Sequence, residues 1–273
     1  MSERDGYAPG VPCWVDTWRA DPEAAAAFYE GLFGWRVEKL SLPWGPGKVL
    51  ICRLRGRDVA AIAAQPPDAP PTAWNTHICV ASADDAAADA ERAGGRVVVE
   101  PFDNFDTGRM AVLADPEGAV FCVWQARELR GAELVNEPGA WSMSALNTRA
   151  PERAKAFYGA VFGWEADAFD LGGLEVTLLR LPGYVGGEPE QPVPRDVIAT
   201  MAPIGGEQPE DVPAHWSVDF WVGDIDATVA KAGEFGGRVI VPPYEIPGTP
   251  LRQAVLADSD GAAFSVSRVT VGD

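Results

Sequence analysis

Short stretches in which apolar and polar residues alternate are separated along the chain by Ala-rich stretches with the period of a helix. PCWVDTW and NTHICVA alternate with a period of two and predict strands. Asp21-Pro22-Glu23 predicts the start of the first helix, since it offers a capping side chain, a proline at the first helical position and an acid in the first turn. Later helices are predicted at residues 84–93 and 226–235, each followed by a Gly-Gly pair that can form a left-handed C-cap. LADPEG and LADSDG predict tight turns between strands, which completes the order βαβββ four times over.

This order recurs because the sequence itself is duplicated. DPEAAAAFYEGLFGW at residues 21–35 matches APERAKAFYGAVFGW at residues 150–164, and GRMAVLADPEGAVFCVW matches LRQAVLADSDGAAFSVS. Matching blocks in the same order indicate a tandem duplication of whole domains, predicted at residues 1–130 and 138–273. The joint is predicted within residues 128–140, where charge, glycine and proline interrupt the pattern. Extra residues of the second half, 181–194, are predicted to be a tolerated insertion, with a lid as the alternative.

Composition narrows the class of protein. The chain has 273 residues, 47% of them hydrophobic, with ten Trp and eleven Phe, which is enough for two globular cores. A net charge of −18 without a basic stripe argues against nucleic acid and anionic membranes as partners. The N-terminal MSERDGYAPG lacks the apolar region of a signal peptide, and no apolar run approaches the ~20 residues of a membrane span, so a cytoplasmic protein is expected.

The remaining chemical signatures are few. Four cysteines are widely spaced without a CxxC pair, and they are predicted to be small buried hydrophobes rather than disulfides. The chain has no P-loop, no GxGxxG in a strand-to-helix context, no GxSxG and no HExxH, so ATP- and NAD-type cofactors have no support.

Three marks occur in order in both halves: the F-Y-x-x-x-F-G-W end of the first helix, an Asp-initiated later helix ending in Gly-Gly, and the A-x-L-A-D-x-x-G turn. Together they resemble the vicinal oxygen chelate superfamily, which includes glyoxalase I, bleomycin-resistance proteins, fosfomycin-resistance enzymes and extradiol dioxygenases. Tandem-domain actinobacterial members, labelled glyoxalase-like or hydroxylase, are the most similar. The resemblance implies an α+β fold of two tandem domains, each a pair of βαβββ modules that form an incomplete barrel around a cleft.

The resemblance also implies His, Glu or Gln at inward strand positions, where they hold a divalent metal that chelates the substrate. This chain has other residues at the matching positions, and residues 59–64 and 197–201, which should supply a fourth ligand, contain no His or carboxylate. We therefore predict no metal site; a divalent metal is the cofactor that the resemblance implies, but its usual ligands are absent. The matching positions are Trp14, Asn75 and Cys122 in the first half and Met143, Ser217 and Ser265 in the second.

The only two histidines of the chain are not equivalent in the repeat. His77 aligns with Asp219, while His215 stands at a strand entrance and is predicted to be a surface residue. His77 and Asp219 are the candidates for proton transfer, with hydrogen-bonded wall residues as the alternative. Cys122 is either a nucleophile or, without a partnered base, inert. The full predicted ligand-binding set is Trp14, Asp16, Asn75, His77, Cys122, Met143, Ser217, Asp219 and Ser265.

Alternating stripes suggest what lines the clefts. Trp14, Asp16 and Trp18 share one strand face, and Trp141, Met143 and Ala145 are predicted to share the corresponding face in the second half. Such stripes belong either to ordinary core or to an apolar cleft with a few polar groups. Three acids are predicted to lie on a loop, where each is a general base, a cation ligand or a solvated charge; they are Glu100, Asp103 and Asp106. Two arginines, Arg109 and Arg252, repeat in register, and each either holds a substrate carboxylate or pairs with a neighbouring acid.

The leading hypothesis is a small-molecule binding protein, for an antibiotic or a metabolite, of the glyoxalase and bleomycin-resistance type without the usual metal ligands. The alternative is an enzyme, either a glyoxalase-like lyase or isomerase or a hydroxylase- or dioxygenase-like protein, acting on an oxygenated small molecule. A third possibility is a scaffold for protein association. The expected partner is a small-molecule ligand, and the chain is expected to be a monomer of two fused domains or a homodimer.

Overall fold

The computed structural model describes residues 2–40, 49–65, 73–170, 175–186, 194–205 and 211–270. These residues form sixteen strands and four helices. In the first half they are β1 (Pro12–Arg19), α1 (Pro22–Phe33), β2 (Arg36–Leu40), β3 (Val49–Leu54), β4 (Arg57–Ala64), β5 (Trp74–Cys79), α2 (Ala83–Arg92), β6 (Arg96–Asn104), β7 (Gly108–Ala114) and β8 (Val120–Ala126). In the second half they are β9 (Trp141–Thr148), α3 (Pro151–Phe162), β10 (Glu165–Asp170), β11 (Glu175–Arg180), β12 (Val197–Pro203), β13 (His215–Trp221), α4 (Ile225–Glu234), β14 (Arg238–Glu245), β15 (Leu251–Ala257) and β16 (Ala263–Val269).

Each half builds one mixed eight-stranded sheet. The strand orders are β2-β3-β4-β1-β5-β8-β7-β6 and β10-β11-β12-β9-β13-β16-β15-β14, so each half contains two βαβββ modules joined through its first and fifth strands. The sheets keep free edge strands and are not closed barrels, which confirms the predicted α+β fold of paired modules.

The helix ends follow the sequence signals. Asp21 caps α1 by accepting a hydrogen bond from the Ala24 amide at 3.0 Å, and Gly34 ends the helix in the left-handed region at φ 73°. Helices α2 and α4 begin and end one residue before the predicted bounds, and Gly94 and Gly236 adopt positive φ after them. The predicted caps are thus confirmed.

Helix α3 begins differently, because Ala150 stands where the first half has Asp21. The carboxylate of Glu117, which belongs to the turn between β7 and β8 of the other domain, accepts hydrogen bonds from the amides of Arg149 at 3.0 Å and Ala150 at 3.3 Å. It also accepts from the Thr148 hydroxyl. An acid from the first domain therefore provides the negative charge that a helix N-terminus favours.

The two domains pack through the aromatic ends of α1 and α3. Tyr29 donates a hydrogen bond to Asp258 at 2.8 Å, and its ring lies 5.7 Å from that of Phe264, both on the second domain. Tyr158 makes the reciprocal contact with Asp115 of the first domain at 3.3 Å. The repeated F-Y pairs therefore lie between their own sheet and that of the other domain.

The tryptophans at the ends of the two F-Y-x-x-x-F-G-W motifs also form hydrogen bonds to the other domain. The Trp35 indole N–H donates to the Gly139 carbonyl and the Trp164 N–H to the Gly10 carbonyl, both at 2.7 Å. Both glycines have positive φ, which costs a residue without a Cβ little. Each domain therefore holds the entry segment of the other.

A buried ion pair crosses the interface at Arg19, and the equivalent place of the second half has no arginine. The Arg19 guanidinium meets the Asp258 carboxylate at 2.7 Å with both side chains almost fully buried. Thr148 takes the place of Arg19 in the second half, and burial raises the pKa of the matching carboxyl, Asp115. The interface is thus symmetric in its aromatic contacts and asymmetric in its charge.

The faces of β5 and β9 that meet at the interface carry Thr76 and Ser144, whose hydroxyls are 2.7 Å apart. Because side chains alternate along a strand, His77 lies on the opposite face of its sheet, which is the concave face of the incomplete barrel that the family resemblance implies. The two concave faces therefore point away from the interface.

All four cysteines are buried and free. None of the described helices has the length and apolar character to cross a bilayer.

Candidate functional site

The strand register gathers the polar candidates of the first half on one concave face. Asp16 lies beside Asn75 and Trp14 beside His77 across β1 and β5, and His77 lies beside Cys122 across β5 and β8. The Asn75 amide donates to Asp16 Oδ1 at 2.8 Å. His77 Nε2 is 3.1 Å from Asp16 Oδ2, but the direction of the ring nitrogen does not meet a hydrogen-bond geometry, so this is a close electrostatic contact.

Tryptophans cover this first face. Trp14 and Trp124 are each only 3% exposed and His77 only 1%, and the Trp124 ring lies edge-on to the imidazole with centroids 6.2 Å apart. Burial raises the pKa of the Cys122 thiol well above its usual value, and the nearby Asp16 charge adds to the effect. The arrangement gives no access to His77 and keeps Cys122 in its unreactive thiol form.

The same face of the second domain is open because its large side chains are replaced. Repeat alignment and register put Met143, Asn147 and Ser267 in the places of Trp14, Trp18 and Trp124. On this face Asp219 is buried, at 9% exposure, and the residues around it are half-buried. The half-buried group is Met143, Ala145, Asn147, Ser217 and Ser265.

Asp219 is the centre of a hydrogen-bond network on the open face. Its carboxyl accepts from the Ser142 hydroxyl at 2.7 Å, from the Gln253 amide at 3.2 Å and from the Ser267 hydroxyl. Tyr244 in turn donates to Gln253 Oε1. Burial raises the pKa of Asp219 above its ordinary value, while these neutral donors act in the opposite direction. The result is a buried carboxyl with neutral partners and a pKa raised above its ordinary value.

Four members of this network were not among the predicted site residues. Ser142, Gln253, Tyr244 and Ser267 replace Cys13, Met110, Phe102 and Trp124 of the first half. The signal that could have found them is the change from apolar to polar at repeated positions. Each half taken alone does not show it.

One predicted stripe is wrong. Trp141 was expected to share a face with Met143, but the register shifts at Ser142, so Trp141 lies beside Phe220 while Met143 lies beside Asp219. Phe220 and Asp219 are consecutive and point to opposite faces. This β-bulge turns Trp141 toward the interface side, and an alternating pattern cannot reveal it.

The repeated arginines lie in ion pairs with acids of the helix N-termini. Arg109 pairs with Asp84 through two hydrogen bonds, at 2.7 and 2.9 Å, and Arg252 pairs with Asp226 at 2.5 and 3.0 Å. Both contacts favour the alternative in which these arginines bridge to acids.

The acids that were predicted to lie on a loop do not all do so, since Glu100 and Asp103 belong to β6 and only Asp106 lies in the turn after it. Asp103 accepts from Arg109 and Arg127, while Glu100 and Asp106 are exposed. His215 is half-buried at the start of β13, with Nδ1 2.9 Å from the Pro213 carbonyl. Part of the predicted insertion, residues 187–193, lies outside the described residues.

The residues at the expected metal positions do not fit a divalent ion. An indole, an amide and a thiol occupy them in the first domain, and a thioether and two hydroxyls occupy them in the second, whereas such an ion prefers imidazole and carboxylate. Within the described part of the chain, no group of three or more His, Cys, Asp or Glu is arranged to hold a metal.

The repeated eight-stranded sheet agrees with the sequence comparisons. The sequence profile of the glyoxalase-like domain matches residues 14–124 and again residues 143–267. The chain therefore belongs to this family, and its fold is that of the vicinal oxygen chelate superfamily, as the sequence motifs predict.

Relatives match the chain over its length. It is 41% identical over 271 residues to "Putative glyoxylase CFP32" of Mycobacterium tuberculosis, covering 97% of both chains. It is 34% identical over 281 residues to the anthracycline biosynthesis protein DnrV of Streptomyces peucetius, covering 97% of this chain and 96% of that one. The Mn(II)-bound glyoxalase of Novosphingobium aromaticivorans has a similar fold, with a TM-score of 0.62 at 15% identity over 95% of this chain and 82% of that one. At this identity the similarity concerns the fold alone.

Proposed function

We propose that the chain binds an oxygenated small molecule on the concave face of its second domain. The observation that supports this most is the replacement of Trp14, Trp18 and Trp124 by smaller residues around the buried Asp219. Ligand sites combine an apolar wall with a few placed polar groups. Here Met143 and Val255 provide apolar surface, and the Asp219 network provides the polar groups.

The name of one relative suggests the first probe. DnrV is named an anthracycline biosynthesis protein, and anthracyclines carry several oxygen atoms on a broad apolar body. Such a compound matches a face with a carboxyl, hydroxyls and an amide beside aliphatic side chains.

The test is to close the face of the second domain with the tryptophan that covers the equivalent face of the first. Wild type and Ser267→Trp are titrated with an anthracycline by calorimetry, since Trp is the residue that stands at this place in the first half. We expect the indole to fill the face and lower affinity by at least about tenfold, the effect of losing ~1.4 kcal/mol. Asp219→Asn should weaken binding by a smaller factor.

The matched control is Trp124→Ser, which opens the first domain at the equivalent place. We expect it to leave anthracycline affinity unchanged. Unchanged binding by Ser267→Trp and Asp219→Asn would contradict the proposed site.

A second candidate function is an enzyme of the lyase, isomerase or hydroxylase type. The buried carboxyl of Asp219 favours this candidate, because burial and a raised pKa are typical of residues that transfer protons near neutral pH. His77 has no such access. If turnover of any oxygenated compound is found by mass spectrometry, Asp219→Asn should abolish it and His77→Gln should not; the reverse result would assign the chemistry to the first domain.

A further inference from the structure

Two of the four buried cysteines, Cys13 and Cys79, lie on neighbouring strands of the first domain. Cys13 stands near the start of β1 and Cys79 ends β5, and the two strands are antiparallel. The Cys79 amide donates to the Val11 carbonyl at 2.9 Å, and the Gly10 amide donates to the Cys79 carbonyl at 2.8 Å. Backbone pairing therefore holds Cys79 opposite a residue that is only two positions from Cys13.

A β-bulge determines the face on which Cys13 lies. The register of β1 on β5 shifts at Cys13, which is the extra residue of β1. Ser142 occupies the same place in the second half, and its hydroxyl reaches Asp219 on the concave face. Cys79 shares its face with His77, two residues before it on the strand. The bulge therefore brings both thiols to one face of the sheet.

The two thiols form a hydrogen bond with each other. Cys13 Sγ also lies 3.5 Å from the His77 carbonyl oxygen, and Cys79 Sγ lies 3.4 Å from the Tyr7 carbonyl oxygen. Adjacent strands are about 4.8 Å apart, and disulfides join residues whose Cα atoms are about 4.4–6.8 Å apart. A bond between the two sulfurs therefore requires little movement of the backbone.

The surroundings of the two thiols differ. Cys13 has no exposed surface, whereas Cys79 is 6% exposed at the end of its strand. Burial raises the pKa of the Cys13 thiol well above its usual value. The hydrogen bond from Cys13 lowers the pKa of Cys79, while burial acts against it. Because the thiolate is the nucleophile in cysteine chemistry, Cys79 is the attacking thiol of the pair, and Cys13 lies where a resolving thiol is needed.

We propose that Cys13 and Cys79 are a modification site that hydrogen peroxide converts to a disulfide. The Cys79 thiolate attacks one peroxide oxygen, the O–O bond breaks, the other oxygen leaves as water, and Cys79 becomes a sulfenic acid. The Cys13 sulfur then attacks the Cys79 sulfur, the S–O bond breaks, and a second water leaves. The two sulfurs are oxidised, the peroxide is reduced, and both thiol protons end on the water molecules.

The other two cysteines, Cys52 and Cys122, provide an internal comparison. Both are fully buried. Burial raises the pKa of each thiol, and nearby carboxylates add to the effect. We expect both to remain thiols under conditions that oxidise the pair formed by Cys13 and Cys79.

The test uses the full chain in its folded state. Wild type is treated with hydrogen peroxide in molar excess, free thiols are alkylated in denaturant, and the protein is digested with trypsin without reduction. Cleavage after Lys and Arg puts each cysteine in a different peptide, namely residues 5–19, 49–53, 58–92 and 110–127.

Mass spectrometry should find peptides 5–19 and 58–92 joined, with the mass lower by that of two hydrogen atoms, and the other two peptides alkylated. Cysteines that are all alkylated after peroxide treatment, or a different pair of joined peptides, would overturn the proposal. This experiment needs no variant.

Two further measurements show that the bond forms within one folded chain. Oxidised wild type should migrate as a single chain in a denaturing gel without reductant, and a cross-linked dimer would contradict the proposal. In urea, peroxide should join the cysteines in mixed pairs, because the contact between Cys13 and Cys79 is lost. An equal yield of this pair in the folded and the unfolded protein would show that the native contact does not select it.

Two variants assign the roles of the thiols. Cys13→Ser installs the residue found at the equivalent place of the second half, so the fold should accept it. It should block the disulfide and leave Cys79 as a sulfenic acid, which dimedone labels in peptide 58–92. Cys52→Ser is the matched control and should keep the disulfide. Dimedone label on Cys13 in Cys79→Ser, with none on Cys79 in Cys13→Ser, would contradict the assignment of Cys79 as the attacking thiol.

Discussion

At the scale of single residues, the difference between the two domains rests on a few exchanges at repeated positions. His77 and Asp219 occupy the same place, yet the first is enclosed by indoles and the second by hydroxyls and an amide. The environment, more than the identity of the ionisable residue, decides which of the two can meet a ligand.

Asp219 should make the stability of the protein depend on pH. Its pKa is raised in the folded state, so its contribution to stability is fully present below the unfolded pKa, near ~3.9, and is lost as pH rises through the folded pKa. The wild type should therefore lose stability relative to Asp219→Asn as the pH rises above about 4, by ~1.4 kcal/mol for each unit of pKa difference. Urea unfolding of the two proteins at a series of pH values measures this, and a stability difference that does not change with pH would contradict the raised pKa.

The arrangement of the site residues could be predicted from the sequence only in part. It placed Trp14 and Asp16 on one face of the first strand, because a period of two is visible in a single strand. It could not show that Trp14 and Trp124, from distant strands, together enclose His77, nor that a bulge at Ser142 reverses Trp141. Such facts depend on register between strands, which a local pattern does not contain.

At the scale of the elements, the two equivalent helices α1 and α3 are capped by different means. Asp21 caps α1 from the residue before the helix, whereas Glu117 reaches α3 from a turn of the other domain. The start of α1 was predictable from Asp21-Pro22-Glu23, and the cap of α3 was not, because its acid is distant in sequence.

Removal of either cap should lower the free energy of unfolding by a similar amount, but the two removals should expose different segments to hydrogen exchange. We expect Asp21→Ala and Glu117→Ala each to lower the free energy of unfolding by about 0.5–2 kcal/mol. Hydrogen exchange should then show a difference: Asp21→Ala should expose amides of α1 alone, while Glu117→Ala should also expose the turn between β7 and β8. Protection that stays unchanged in that turn would show that Glu117 is not a contact between domains.

The ion pair of Arg19 and Asp258 links an element of each domain, β1 and the turn between β15 and β16. Arg19→Thr copies the residue found at the equivalent place in the second half and leaves a buried carboxylate without its cation. We expect a loss of about 3–5 kcal/mol, with partial recovery in the double variant Arg19→Thr, Asp258→Asn. Denaturant unfolding of the four proteins measures the coupling, and additive losses would show that the pair does not interact.

At the scale of the whole molecule, the interface has the symmetry of a dimer within one chain. Helix α1 contacts α4 as α3 contacts α2, and Trp35 holds Gly139 as Trp164 holds Gly10. The tandem repeat and its fold were predictable because matching blocks are visible in the sequence. The packing of each aromatic motif on the other domain was not, since the same pattern also fits packing within one domain.

Either half alone should be poorly stable. Residues 1–130 and 138–273, expressed separately, would expose the aromatic faces around Tyr29 and Tyr158, so we expect aggregation or loss of cooperative unfolding. Co-expression of the two halves should give a soluble one-to-one complex, measurable by light scattering. Two halves that are each stable and monomeric would show that the interface contributes little.

The reciprocal Trp35–Gly139 and Trp164–Gly10 hydrogen bonds have an evolutionary consequence. In a dimer of identical chains, every substitution appears twice, so a cleft cannot be filled with tryptophan in one copy and left open in the other. Once the copies are fused, their association no longer depends on concentration and each can change alone. Duplication thus allowed one face to be filled with tryptophan while the equivalent face of the other domain stayed open.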